Sequence, residues 1–398
     1  MKTTLSLVEA RQLALHHQQL LTSDAPSGRA GTLSVLEQLG YVQIDTISVV
    51  ERAHHHVLWS RQADYNPSYL NELIDDKSAF EYWSHAAAYL PMRDFRYSLI
   101  SKRNRAKRIA EQALDKKMRK YVLERIQAEG ALQARHFENS TKTTGGWWEH
   151  KPAKIALERL FFEGTLMISQ RINFQKVYDI TDRVLPEGIN RTMPTIDEYS
   201  RHLITTAINA HGFASVEEIS YLRGGDSRRA VLRAIQEMSE NGELLPVTIE
   251  GSKQKYYSSQ TNLALIGLIP TQNIHILSPF DNAVIQRKRL AQLWDFDYQV
   301  ECYVPAPKRK FGYFCLPIMV GDTFIGRIDA KAERRSKRLI INSLYIEKEF
   351  NSDYTALAGS IARFADFNGC TTVELVAAYP ISIKKPLVKE LSSHKQTD

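Results

Sequence analysis

Tyr41, Gln43 and Asp45 alternate with Val42 and Ile44. As a strand, the segment presents a phenol, an amide and a carboxylate on one face and two branched apolar side chains on the other. An amide able to hold a water then stands beside a carboxylate able to face a positive charge. Gly40 closes the helical pattern before them, which puts the pair where a helix hands over to a strand, near a sheet edge. A half-exposed strand whose polar residues simply face water would look the same. Three histidines follow, His54, His55 and His56. On a returning strand only His54 and His56 share a face, and no carboxylate or cysteine stands at ligand spacing, which argues against a metal. Hydrogen bonds to phosphate or to the Gln43–Asp45 pair are one role for them, and packing within the strand is the other.

Several elements are needed to position these residues. A helical stripe runs from Leu7 to Leu21, with Ser6 as N-cap and Glu9 completing a capping box. Loop signals at Ser23, Asp24, Pro26 and Gly28 end it. A second helix, Gly31 to Leu39, delivers the strand Gln43–Asp45, and Val57-Leu58-Trp59 reads as its return. Helix, helix, strand, strand is the outline of a winged helix. The outline recurs between Lys117 and Ile180, with helices to Gly130, around 131–139 and over 151–163, then strands 166–171 and 174–180. It recurs again between Thr195 and Ser258, with helices to His211, over 215–221 and over 226–241, then strands 244–249 and 255–258. Beyond Asn262 the pattern changes to short strands, 274–277, 298–304, 313–319, 323–330, 339–346 and 372–377, with one helix near 353–367. The fold class is therefore α+β: three tandem winged helix-turn-helix domains followed by a small C-terminal β-barrel-like domain. The expected boundaries are 1–113, 114–188, 189–261 and 262–398.

The chain has 398 residues and a formal net charge of +7, which permits a polyanionic partner without requiring one. Arg93, Arg96, Lys102, Arg103, Arg105, Lys107 and Arg108 fall in one short segment, followed by Lys116, Lys117, Arg119 and Lys120. Such a run is either a solvated helix face or a phosphate-facing surface. Lys308, Arg309 and Lys310 read as a hairpin tip, contacting DNA or guarding a strand edge. Arg327, Asp329 and Lys331 alternate as an internal ion-pair ladder would. Trp147 and Trp148 either insert toward bases or anchor the second winged helix by burial. Cys302, Cys315 and Cys370 are odd in number and lack Cys-x-x-Cys spacing, so they read as reduced, with no metal implied. No apolar run is long enough to span a bilayer, and Met1-Lys2 leads into an amphipathic helix, so a cytoplasmic protein is expected.

Gln43-Ile44-Asp45, the run Glu51 to His56 with Leu58-Trp59-Ser60-Arg61, and Leu277-Ser278-Pro279-Phe280-Asp281-Asn282 together resemble the winged-helix DNA glycosylases of the YcaQ/AlkZ family. Gln-x-Asp resembles the YcaQ branch, where AlkZ carries Gln-x-Gln. The resemblance runs from about Val8 to the C-terminal strand. It implies a monofunctional DNA glycosylase acting without cofactor on bulky or cross-linking N7-alkylguanine adducts in double-stranded DNA, with Gln43 and Asp45 as the catalytic residues. A monomer is expected. Contacts to DNA are expected from His54, His55, Arg61, His85, Lys308, Arg309 and Lys310. His85 lies in Trp83-Ser84-His85, which also resembles a family motif; the alternative for it is a core histidine beneath Tyr89 and Leu90.

Breaking an N-glycosidic bond passes through a cationic sugar, so a nearby negative charge and a water are needed. Asp45 can supply the first and Gln43 can hold the second. Sugar hydrolases commonly use two carboxyl groups, but a purine alkylated at N7 already carries a positive charge and leaves neutral. The second carboxyl group, which would protonate an ordinary leaving group, is then less necessary, provided Asp45 is ionised. The rival class is a sequence-specific winged-helix regulator without catalysis, since fold alone does not settle function.

Overall fold

Ser6 opens the first helix with a reciprocal cap: its hydroxyl accepts from the Glu9 N–H at 3.2 Å while its own N–H donates to the Glu9 carboxylate at 2.9 Å. In this computed structural model, which describes residues 3–21, 27–110, 116–140, 152–267, 273–348 and 353–393, that helix spans Leu7–His17. The next helix, Gly28–Leu39, ends at Gly40 with φ +74°, and a Cβ there would meet the Thr206 methyl. Conformation and close approach both demand glycine. The segment it delivers is strand only at Val42–Gln43. The chain divides into two units, Asn66–His202 and a larger one formed by residues 1–65 with 203–398.

One expectation fails at once. Val57-Leu58-Trp59 forms no return strand; the histidine run and these residues lie together in the helix Ala53–Trp59. Ala53, His54, His56, Val57 and Leu58 are all buried there, and Trp59 stacks on Phe367 with ring centroids 4.7 Å apart. Burial on several sides of one short helix erases the stripe that periodicity would need, and apolar runs of this length read as strand or helix alike.

In the larger unit the segment from Leu203 onward continues the helix Ile196–His211, then makes an isolated bridge from Ala214 to Tyr257. The short helix Val216–Ile219 carries the expected capping box of Ser215 and Glu218. Helix Gly225–Glu240 follows, and then the antiparallel strands Leu245–Ile249 and Tyr256–Ser258, paired Leu245 to Ser258. Thr4–Leu5 adds to this hairpin in parallel, opposite Thr248 and Ile249. Leu13, Phe213, Val247, Tyr256, Leu290 and Trp294 share the core beneath.

The last sheet runs in the order Ile274–Ile276, Cys315–Val320, Thr323–Glu333, Arg338–Ile346 and Thr372–Leu375, with Ala378–Tyr379 also on Arg338–Ile346. It is an open path, not a closed barrel, among the described residues. Register shifts at Ile318/Met319 and Asp329/Ala330 bend it. Helix Tyr354–Phe367 packs on it through Leu357, Ile361 and Phe364. The expected strand 298–304 is irregular chain, and a helix at Lys384–Ser393 went unread in the sequence.

The smaller unit holds a helix Pro67–Asp75, an antiparallel hairpin Ala79–Trp83 with Ala87–Pro91, and helices Phe95–Ala110, Lys116–Glu129 and Pro152–Glu163. Strands Leu166–Ile172 and Gln175–Ile180 form a second hairpin, to which Leu132–Gln133 adds. Phe80, Tyr82, Phe95, Leu157, Leu160 and Phe161 make its core. The basic run is sorted by this packing. Lys102 is 4 % exposed, its ammonium 4.1 Å from the Phe95 ring centroid, and burial lowers its pKa to about 7. Arg105 lies over Phe162 at 4.3 Å, Arg96 pairs with Glu198, and Arg119 pairs with Glu163. Arg103, Lys107, Arg108, Lys116 and Lys117 stay exposed. Trp147 and Trp148 lie outside the described residues.

Candidate active site

Asp45 is partly exposed, and one carboxylate oxygen accepts the Ile47 N–H at 2.7 Å. That bond closes a tight turn and fixes the carboxylate's direction. Desolvation raises its pKa above the ordinary 3.8, and the Ile47 N–H opposes the rise. Among the described residues it has no cationic partner within ion-pair distance. Gln43, two residues earlier, is 8 % exposed rather than on an open face.

Two of the motifs that flank this segment exist to hold it. Arg61 and Asp281, both with fully buried side chains, form a two-pronged ion pair at 2.7 and 2.8 Å. The same guanidinium donates to the Gln18 carbonyl at 2.7 Å, the Gln18 side chain at 3.0 Å and the Val57 carbonyl at 2.9 Å. Asp281 further accepts the Ala283 N–H at 2.8 Å. Next to it, the Asn282 amide donates to the Tyr41 carbonyl at 3.1 Å, directly bracing the chain that carries Gln43 and Asp45. Arg61 is thus no DNA contact. Five donors committed inside the protein leave none for phosphate.

The histidines are part of the same brace. His56 bonds the Ile276 carbonyl at 2.7 Å and packs 5.1 Å from Phe364. His17 bonds the Asn209 carbonyl at 2.9 Å, and His275 the Leu20 carbonyl at 3.0 Å. Burial lowers the pKa of each to about 4, and that of His211 well below its ordinary value. His54 is 2 % exposed, which takes it away from any phosphate; His55 is partly buried and bonds the Tyr65 hydroxyl at 2.7 Å. These rings stay neutral in the fold but take protons once unfolded, so stability falls as pH drops from about 6.5 toward about 4. Each of His17, His56 and His275 contributes up to roughly 3 kcal/mol of that loss. A urea midpoint that stays flat across this interval would contradict the buried neutral state.

A third piece of chain reaches the site. Glu301 folds the loop after it by accepting N–H bonds from Lys310 at 3.0 Å, Phe311 at 2.8 Å and Gly312 at 3.1 Å. Arg309 donates to the Val304 carbonyl at 2.9 Å and covers the Tyr313 ring at 4.9 Å. Lys308 and Lys310 are exposed on this loop, which contains a turn at Ala306–Lys308 and precedes the strand Cys315–Val320. They therefore sit on a pinned loop and not on a hairpin tip. Desolvation, then the charge of Asp45, raises the Cys302 thiol and the Tyr303 phenol, so this loop borders the carboxylate. Sequence reasoning missed Tyr303 because it took 298–304 for a strand.

Other expected roles resolve differently. Arg327 pairs with Glu347 at 2.6 Å and Asp329 accepts from Phe314 at 3.0 Å, so the expected ladder with Lys331 does not form. His85 lies in the turn of the hairpin Ala79–Trp83 with Ala87–Pro91 and is partly exposed, not a buried core histidine. Among the described residues no three His, Cys, Asp or Glu side chains gather as metal ligands. No helix there is long and apolar enough to cross a membrane.

A family model described as DNA glycosylase AlkZ-like matches residues 36–367, which include all three motifs. Among solved structures, the DNA glycosylase AlkZ of Streptomyces sahachiroi superposes with a TM-score of 0.65 at 17% identity, covering 94% of this chain and 100% of that one. At that identity the likeness is one of fold.

Proposed function

The chain belongs to the AlkZ-like DNA glycosylase family, and from that premise we propose that it hydrolyses the N-glycosidic bond of N7-alkylated guanine in duplex DNA. Bulky adducts and interstrand cross-links, which it would unhook, are included, and the product is an abasic site. In this reading the segments 117–180 and 195–258 are winged helices. The segment 7–59 keeps the two leading helices but has the helix Ala53–Trp59 where a wing strand was expected, and Gln43-Ile44-Asp45 likens the chain to the YcaQ branch. The observation that supports the chemistry is Asp45: a partly exposed carboxylate, oriented by the Ile47 N–H and neutralised by no cation among the described residues.

Asp45 faces the sugar as the bond to the base stretches and positive charge builds at the anomeric carbon. Water, steered by Gln43, attacks that carbon and releases its proton to solvent, and the purine departs with the bonding electron pair, which quenches its own charge. A cross-linked base is tethered to the opposite strand and cannot rotate freely into a closed pocket. Opening the duplex at one base step gives the water and Asp45 access without full rotation. Lys308, Lys310 and Arg309 contact phosphate beside this opening, and His55 and His85 are assigned to the DNA surface.

Two measurements separate this from a regulator. A mustard cross-linked duplex should be converted to single-length products in a denaturing gel; cross-links that persist at the protein-free level refute the repair reading. Binding should depend steeply on salt and little on sequence, and the double variant Lys308→Ala, Lys310→Ala should reduce the salt slope by about two. An unchanged slope removes these lysines from the interface.

A further inference from the structure

Tyr303 is 74 % exposed, more than any other large apolar or aromatic side chain among the described residues. A single exposed ring needs no explanation by itself. Its setting does. The backbone on which it stands is not loose: Glu301 gathers the N–H groups of Lys310, Phe311 and Gly312, and the Val304 N–H returns to the Glu301 carbonyl at 2.9 Å. Phe311 meets Tyr345 in a T-shaped pair at 5.0 Å, and the Arg327 guanidinium lies over the Phe311 ring at 3.9 Å. The ring of Tyr303 is thus held in water by a loop with little freedom to withdraw it.

The loop is also in the right place. Ile47 and Cys302 both pack against the apolar cluster that includes Val50, Phe280 and Phe314, and the charge of Asp45 is felt at Cys302 and Tyr303. Asp45 is hydrogen-bonded to Ile47, and Tyr303 directly follows Cys302 in the chain. At 74 % exposure, Tyr303 can offer its ring face to a partner. Lys308 and Lys310 stand on the same loop, and rings presented among cations suit single bases beside phosphates.

Building on the glycosylase reading, we propose that Tyr303 is a specificity-determining residue that takes the uncovered face of the lesion and selects a cationic purine over a neutral one. The face of a phenol ring is electron-rich and attracts a cation, whereas neutral guanine gains only stacking. N7-alkylguanine spreads its positive charge over the ring system that Tyr303 would cover. Asp45 acts on the sugar; Tyr303 acts on the base. The two would therefore recognise one charge at its two locations along the reaction.

The test uses the full chain carrying Asp45→Asn, which slows cleavage and removes the other group favouring a cation. Binding is compared on duplexes with one 7-methylguanine, one neutral 7-deaza-7-methylguanine, or no lesion. With Tyr303 present the cationic base should be preferred by roughly threefold to thirtyfold. Tyr303→Phe should keep that preference and Tyr303→Leu should abolish it, with circular dichroism confirming the fold of both. Equal preference in the Leu variant overturns the role of Tyr303 while leaving the glycosylase reading in place. A wild-type chain that forms no abasic sites at 7-methylguanine overturns both.

Discussion

Replacing Asp281 with alanine is expected to cost about 3–5 kcal/mol of folding stability, because it strands the buried Arg61 guanidinium without its counter-charge. Few domains have more than two or three times that in total. The cost falls on the site as well as the fold, since Asn282, the next residue, holds the Tyr41 carbonyl. Removing both charges together, as Arg61→Met with Asp281→Leu, should recover part of the loss by eliminating the uncompensated ion. Recovery will be incomplete, because Gln18 and the Val57 carbonyl lose their donor. Urea unfolding of the three proteins decides it. An Asp281→Ala variant within about 1 kcal/mol of wild type would mean that the pair is not the brace described.

Asp45→Asn should slow release of N7-alkylguanine by about a thousandfold. A carboxylate about 4 Å from a full positive charge, at an effective dielectric of about 20, stabilises it by roughly 4 kcal/mol, and each 1.36 kcal/mol is tenfold in rate. Asparagine keeps an oxygen that can accept the Ile47 N–H, so the turn and the fold should survive and only the charge is lost. The pH profile carries an independent signature. Burial raises the Asp45 pKa above 3.8, so the active ionised form is lost as pH falls through a midpoint above that of an ordinary aspartate. The asparagine variant should lack this acid limb. Rates are to be compared only where circular dichroism shows folded protein, because the buried histidines unfold the chain in the same direction. A variant within fivefold of wild type would assign the acceleration to something other than this charge.

What could be read in the sequence was local. The capping boxes at Ser6 and Ser215, the helix stop at Gly40 and the hairpins at 166–180 and 245–258 each depend on neighbours in the chain, and the structure carries all of them. What could not be read was long-range or tied to irregular backbone. Nothing in Arg61 announces a partner 220 positions later, so a surface phosphate contact was the natural assignment for what is an interior ion pair. The histidine run misled for a related reason: His56 is fixed by a carbonyl at Ile276, and a short helix buried on several sides has no amphipathic signature. The loop after Glu301 had alternating residues but takes its shape from one carboxylate collecting N–H groups about ten residues away. Tyr303 was hidden with it. The pair Gln43 and Asp45 was legible by type and spacing, while the exposure of Asp45 and the burial of Gln43 belong to the packing alone.

The most direct test is a single-turnover assay on a duplex containing one 7-methylguanine, scored as alkali-labile abasic sites against a protein-free control for spontaneous loss of the base. Wild type should convert the substrate in a first-order phase well above that control, and Asp45→Asn should be indistinguishable from it over the same interval. Equal conversion by both proteins, or none above the control by either, would contradict a glycosylase whose working charge is Asp45.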